Sequence, residues 1–137
     1  MLLTIVLWLS RFFGPSSSGQ ITANSCELDQ GYCSIKFEQG TLNVQFYPAN
    51  IPLEEEIQIH LELPETMSFK SAWIEGINMY MGKIPFIVES QESNIIEGIS
   101  YLGSCSEASM SWQLVIELTD NTSHSTQVFQ LLFSTNY

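Results

Sequence analysis

The chain is short of positive charge. Lys and Arg number 4 and Asp and Glu 15, so the formal net charge of the 137 residues is 4 − 15 = −11. A surface of this sign repels the phosphate backbone of DNA and RNA, which excludes nucleic acid as a partner. The longest acidic run, Glu54–Glu56, is interpreted as the solvated entrance of a strand, with an acidic docking patch for a basic partner as the alternative.

Motifs that carry catalysis are missing as well. The chain has two histidines, neither in a recognisable nucleophile motif, and it has no glycine-rich phosphate loop and no Cys-x-x-Cys pair. His60 shares a strand face with Gln58 and Glu62, which predicts exposure to solvent. His124 lies in a polar turn and would supply a metal ligand only if that turn lies near the methionines. We therefore expect no enzymatic activity.

Helical periodicity is also absent, since no window shows an apolar stripe with a 3.6-residue period. Apolar and polar residues alternate instead, as half-buried strands require. Seven or so short strands separated by turns predict an all-β fold, an antiparallel β-sandwich of immunoglobulin-like or cupredoxin-like kind. The predicted strands cover residues 42–47, 57–63, 69–81, 84–88, 95–102, 112–118 and 128–133.

No apolar run reaches the ~20 residues that a membrane-spanning helix needs. The longest apolar run, residues 2–13, has the length of the hydrophobic core of a signal peptide and is followed by small polar residues up to Ala23. The basic residues that usually precede such a core are missing, and Arg11 lies near its C-terminal end instead. We expect residues 1–24 to be a signal peptide or an N-terminal anchor with a linker, and residues 25–137 to form the β-sandwich domain. The predicted location is the periplasm, with membrane contact only through the N-terminal segment.

Cysteine is scarce, with three residues in the chain. Cys26 and Cys33 bracket a short acidic loop, and a bridge between them would contribute roughly 2.5 kcal/mol by the chain-entropy estimate. Export would place the chain where disulfides persist. This pairing leaves Cys105 as an odd thiol, which metal ligation or intermolecular pairing would explain. Pairing of Cys105 with either of the other two cysteines stays open at this point.

Sulfur is nevertheless concentrated in two segments. Met79 and Met81 lie in the first, Cys105 and Met110 in the second, and thiolate and thioether are the soft ligands that select Cu(I). On a strand, Met79 and Met81 would point to the same face. Core packing explains each methionine taken alone. The argument for metal ligation therefore depends on the residues taken together, because both segments lie near strand ends and could meet at one end of the sandwich. Trp112 is interpreted as a core anchor, with shielding of the ion as the alternative.

The same segments carry a family resemblance. Residues 76–82 (GINMYMG), 98–103 (GISYLG) and 105–112 (CSEASMSW) resemble a pattern of uncharacterised exported proteins of gammaproteobacteria. Residues 26–135 more loosely resemble FixH- and YtkA-like periplasmic domains. The resemblance implies an exported β-sandwich that serves copper handling or cytochrome oxidase assembly, with a copper chaperone or an oxidase assembly protein as partner.

The sequence therefore leads to two hypotheses. The first is a non-enzymatic periplasmic module that holds or passes Cu(I), with Met79, Met81, Cys105 and Met110 as ligands. The second is a metal-free, immunoglobulin-like domain that binds a protein partner.

Overall fold

The computed structural model describes residues 24–103 and 108–136. None of these residues lies in a helix that is long and apolar enough to cross a membrane. The predicted signal peptide or anchor and Cys105 lie outside the described residues. The strands are β1 (Ser25–Glu27), β2 (Tyr32–Phe37), β3 (Gly40–Tyr47), β4 (Glu56–Glu62), β5 (Met67–Gly76), β6 (Ile84–Pro85), β7 (Ile87–Glu92), β8 (Ile95–Tyr101), β9 (Ser109–Asp120) and β10 (Thr126–Asn136).

The strands form two five-stranded sheets that pack face to face, so the predicted β-sandwich is confirmed. Sheet I has the order β1-β10-β9-β5-β6 and sheet II the order β2-β3-β4-β8-β7. Among the strands of the described residues, β1 and β10 are the one pair that is parallel. If β3, β4, β5, β7, β8, β9 and β10 are read as strands A to G, the sheets contain A-B-E-D and G-F-C, which is the immunoglobulin order. Strand order thus favours the immunoglobulin-like form of the prediction.

The core is built by the alternation that the sequence predicts. Every second residue of β3, β4 and β9 points between the sheets and is almost completely buried, while the intervening residues face outward. Trp112 has no exposed surface, its indole Nε1–H donates to Thr135 Oγ1 at 2.8 Å, and its ring stacks on Phe133. Trp112 is therefore the core anchor that was predicted. The buried apolar residues of the three strands are Leu42, Val44, Phe46, Ile57, Ile59, Leu61, Met110, Trp112, Leu114, Ile116 and Leu118, together with Val115 from the intervening positions of β9.

A Cys26–Cys33 disulfide joins the two sheets, as predicted. Cys26 lies on β1 at the edge of sheet I, Cys33 lies on β2 at the edge of sheet II, and their Cα atoms are 6.3 Å apart. The predicted loop between them is only a tight turn, in which Gln30 and Gly31 have positive φ. Since two of the three cysteines are paired, Cys105 is the one that this bridge leaves over.

β1 and β2 lie outside the predicted strands, several strand ends differ from the prediction by a few residues, and two differences alter the course of the chain. β5 ends at Gly76, so residues 77–83 form a loop where a strand was expected to continue to Met81. The expected strand over 84–88 is instead divided, because Phe86 turns inward and the chain crosses from β6 in sheet I to β7 in sheet II. Both differences depend on contacts between residues distant in the chain, which the local alternation of apolar and polar residues does not reveal.

Candidate functional site

The two sulfur-containing segments lie at the same end of the sandwich. β5 and β9 are antiparallel neighbours, and Gly76 at the end of β5 pairs with Trp112 near the start of β9. Met79 and Met81 follow in the 77–83 loop, and Met110 is the second residue of β9. We call this end of the sandwich the methionine end, because three of the four predicted ligands, Met79, Met81 and Met110, belong to segments that lie there. The position of the fourth, Cys105, is not described.

Asn78 joins the methionine loop to the strand that carries Met110. Its side-chain Nδ2 donates to the Ser109 carbonyl at 3.0 Å, and its Oδ1 accepts from the Ser111 N–H at 2.8 Å. The Ile77 N–H also donates to the Ser111 carbonyl, at 2.7 Å. The Asn78 amide thus takes the place of a backbone peptide in the β5–β9 ladder and brackets Met110 from both sides.

Gly76 allows the loop to fold back over the end of β5. A Cβ atom at this position would overlap the carbonyl oxygen of Met79 and would lie 3.1 Å from the terminal methyl of Met110. The backbone carbonyl of Met79 and the side-chain methyl of Met110 therefore border the same small space from two segments. A larger residue at position 76 would separate them.

Met81 points toward the segment that leads to Cys105. Its methyl lies 4.0 Å from the Cβ position of Gly103, which precedes Cys105 by two residues. Gly82, with φ of 76°, turns the chain away directly after Met81. The loop therefore places Met81 beside Gly103, at the end of the described residues that precede Cys105.

Burial distinguishes the three methionines. Met110 is 2% exposed and belongs to the core, whereas Met79 and Met81 are half-buried and pack against the core from the loop. Tyr80 between them is 75% exposed. The loop side chains thus alternate inward and outward although they are not on a strand, so the reason given for the shared face of Met79 and Met81 was wrong.

Both histidines lie away from the methionine end. His124 belongs to the turn after β9, and the twelve residues of β9 span about 36 Å between that turn and Met110. His60 is on the outer face of sheet II, where its ring nitrogens meet Glu97 at 3.1 Å and Glu62 at 3.2 Å. A histidine ligand from the turn is therefore excluded. Within residues 24–103 and 108–136, no three His, Cys, Asp or Glu side chains are grouped as a metal site would require.

Among residues 77–83, which form the methionine loop, Lys83 is the one charged residue. The Lys83 ammonium lies 4.2 Å from the centre of the Trp73 ring, on the sheet I side. Such a contact holds the cation against an aromatic face. The Lys83 side chain is therefore directed to Trp73 of β5 and not to the methionines.

Sequence reasoning missed the residues that assemble this end. Asn78 and Gly76 both stand in the quoted pattern, yet no role was assigned to them. An Asn that follows a strand by two residues beside a glycine is the available signal, since both residue types favour irregular backbone and local hydrogen bonds.

Comparison with protein-family models, curated proteins and solved structures found no match to this chain. The family resemblance of the sulfur-containing segments accordingly stays a prediction.

Proposed function

We propose that the protein is a non-enzymatic periplasmic module that holds or passes one Cu(I) ion at the methionine end. The observation that supports this proposal is the location of Met79, Met81 and Met110, from two separate segments, at one end of the sandwich, with the Met81 methyl 4.0 Å from the Cβ position of Gly103. From the resemblance, the proposed partner is a copper chaperone or an oxidase assembly protein.

The donor set fits a soft, monovalent ion. Thioether sulfur is polarisable and neutral, and one thiolate adds a single negative charge, a combination that suits Cu(I) and disfavours Mg²⁺ or Ca²⁺. Met79 and Met81 would be the outer ligands because they are half-buried, Met110 would be the deepest, and Cys105 would contribute the thiolate.

The disulfide supports the proposed location. A Cys26–Cys33 bridge persists in an oxidising compartment such as the periplasm. In that compartment a cysteine without a disulfide partner needs protection from oxidation, and ligation of a metal supplies it.

The test is a competition for Cu(I) between the reduced protein and a chromophoric chelator. We expect one Cu(I) per chain, much weaker binding of Zn²⁺, and weaker Cu(I) binding after Met81→Leu or Cys105→Ser. Leucine preserves the apolar volume, so Met81→Leu should cost under ~1.5 kcal/mol of folding stability.

Met67→Leu is the matched control. Met67 is a buried methionine at the start of β5, at the opposite end of the sandwich, so its replacement should leave Cu(I) affinity unchanged. Equal affinity in wild type and in Met81→Leu, Met110→Leu and Cys105→Ser would return these residues to a structural role.

The second candidate function is a metal-free domain that binds a protein partner. The immunoglobulin order of the strands and an exposed apolar groove beside β6 favour it. It is the function that would stand if copper binding failed.

A further inference from the structure

An apolar groove lies where the chain crosses from sheet I to sheet II. Ile84, Pro85, Ile87, Ile99 and Tyr101 line it, and Glu56 stands at its rim. The groove encloses about 150 Å³. Ile87 and Tyr101 are each 54% exposed. Single exposed apolar residues are ordinary, but a contiguous group around a concave surface is typical of a binding site.

The fold creates this groove through Phe86 and Gly98. Phe86 turns into the core and packs on Phe69 with ring centres 5.8 Å apart, which leaves Ile87 to face outward. A Cβ atom on Gly98 would lie 2.5 Å from the Phe86 ring and 2.6 Å from the Ile87 carbonyl, so glycine is needed there. Ile87 then pairs with Ile99, which places their side chains next to each other on the outer face.

The edge strand beyond the groove is protected against further strand pairing. β7 pairs with β8 and lies at the edge of sheet II. The pairing shifts register between Val88 and Ser90, and Glu89 and Glu92 are exposed, which are features that discourage edge-to-edge association. The apolar start of β7 carries no such charge. These features disfavour the addition of a further strand along the full edge and leave the groove as the exposed apolar surface of β7.

Charge specifies the occupant. Glu56 lies opposite Tyr101 and lines the groove, and the two glutamates that precede it in the chain, Glu54 and Glu55, are exposed. Lys83, which directly precedes Ile84 in the chain, is held over Trp73 on sheet I. With a net charge of −11, the protein presents the groove within a negative field.

We propose that this groove binds an extended aliphatic segment, flanked by Lys or Arg, from a partner protein. Aliphatic side chains would occupy the space between Ile87, Ile99 and Tyr101, and the basic residues would face the glutamate rim. The groove is also close to the methionine end along the chain, because Ile84 follows Met81 by three residues. The proposal goes beyond copper binding and does not depend on it.

The probe is a fluorescent nonapeptide in which Ile and Lys alternate, added to the purified full-length protein without copper and followed by anisotropy at physiological salt. The Ile87→Ser/Tyr101→Ser double variant should lose at least about tenfold in affinity, because truncated apolar anchors commonly cost that much. Val128→Ser is the control. Val128 is an apolar residue of β10, 39% exposed on sheet I, so its replacement should leave affinity within about twofold.

Charge is tested separately. Replacement of Glu54, Glu55 and Glu56 by Gln should weaken binding and reduce its dependence on salt, whereas Glu38→Gln/Glu65→Gln should have a smaller effect at equal salt. A peptide with Glu in place of Lys should not bind. All replaced residues are exposed, and an unchanged thermal midpoint confirms folding.

The proposal is overturned if the Lys peptide does not bind, if it binds the double groove variant as well as wild type, or if the Glu peptide binds equally. Met81→Leu should bind the peptide like wild type. Failure of the copper proposal would appear in the chelator competition and failure of the groove in the peptide titration, so the two are distinguishable.

Discussion

The two ends of the sandwich are closed by different chemistry. At the turn between β9 and β10, the Asp120 carboxylate accepts from the Thr122 N–H at 2.8 Å, from the Ser123 N–H at 3.3 Å and from Gln39 Nε2 at 2.9 Å. At the methionine end, the Asn78 amide and the Ile77 N–H make polar contacts to β9, and Met79 and Met81 pack against the core.

Under the copper proposal, this difference separates a structural end from a metal-binding one. Hydroxyl, amide and carboxylate groups at the turn end are engaged in local hydrogen bonds that hold the chain. Thioether sulfur is a weak hydrogen-bond acceptor, so the methionines contribute little to such a network while their lone pairs suit a soft metal. Binding sites are commonly found on loops that a rigid scaffold positions, and the methionine loop on β5 and β9 has this arrangement.

The largest expected effect on stability comes from a change that touches neither end. Cys26→Ser/Cys33→Ser should lower the free energy of unfolding by about 2.5 kcal/mol, because it removes the constraint of the closed loop on the unfolded chain. Chemical denaturation under oxidising conditions measures it. The double variant should keep wild-type Cu(I) affinity; a large loss would assign these thiols to the copper site of the reduced protein.

A pair of glycine replacements compares the ends directly. Gly76→Ala overlaps Met79, and Gly40→Ala strains a position with φ of 145° whose Cβ would lie 2.9 Å from Pro64. Each should cost about 1–3 kcal/mol by overpacking. Only Gly76→Ala should weaken Cu(I) binding, since Gly40 lies at the turn end. Equal Cu(I) affinity in both variants would count against the role of the loop position.

An asparagine pair makes a smaller change. Asn78→Ala removes two hydrogen bonds that bracket Met110, and Asn94→Ala removes the bond from Nδ2 to the Leu63 carbonyl at 2.6 Å in the β7–β8 turn. Each bond contributes about 1 kcal/mol to stability. Cu(I) affinity should fall several-fold for Asn78→Ala and stay unchanged for Asn94→Ala. Thermal unfolding measures the loss of stability, and chelator competition measures the Cu(I) affinity. A larger loss of Cu(I) affinity in Asn94→Ala than in Asn78→Ala would refute the role of the Asn78 hydrogen bonds.

The smallest effect is a pH dependence of the turn end. Backbone hydrogen bonding from Thr122, followed by the Gln39 side chain, holds the pKa of Asp120 below its ordinary value of 3.8. A lowered pKa stabilises the fold at pH above 3.8, and this contribution is lost as the pH falls through the lower pKa of the folded state. The stability difference between wild type and Asp120→Asn should therefore shrink below pH 3.8. A constant difference down to pH 2.5 would contradict it.

More of the fold than of the candidate site could be predicted from the sequence. Alternation along β3, β4 and β9 reports which face is buried, and the spacing of Cys26 and Cys33 predicts their bridge, because both signals are local. The crossing at Phe86 and the end of β5 at Gly76 depend on partners distant in the chain, such as Gly98 and Met110. Met79 and Met81 were grouped because alternate residues of a strand share a face, but they lie in a loop. The hydrogen bonds of Asn78 that join this loop to β9 become apparent only once the pairing of β5 and β9 is known.

The most direct test of the central claim is copper X-ray absorption on protein labelled with selenomethionine and loaded with one equivalent of Cu(I). Selenium marks the methionines, while Cys105 keeps its sulfur. Direct ligation at the methionine end predicts copper–selenium scattering together with copper–sulfur scattering, a selenium signal that weakens in Met81→Leu, and no change in Met67→Leu. A copper shell without selenium would contradict the account and leave the methionines as packing residues.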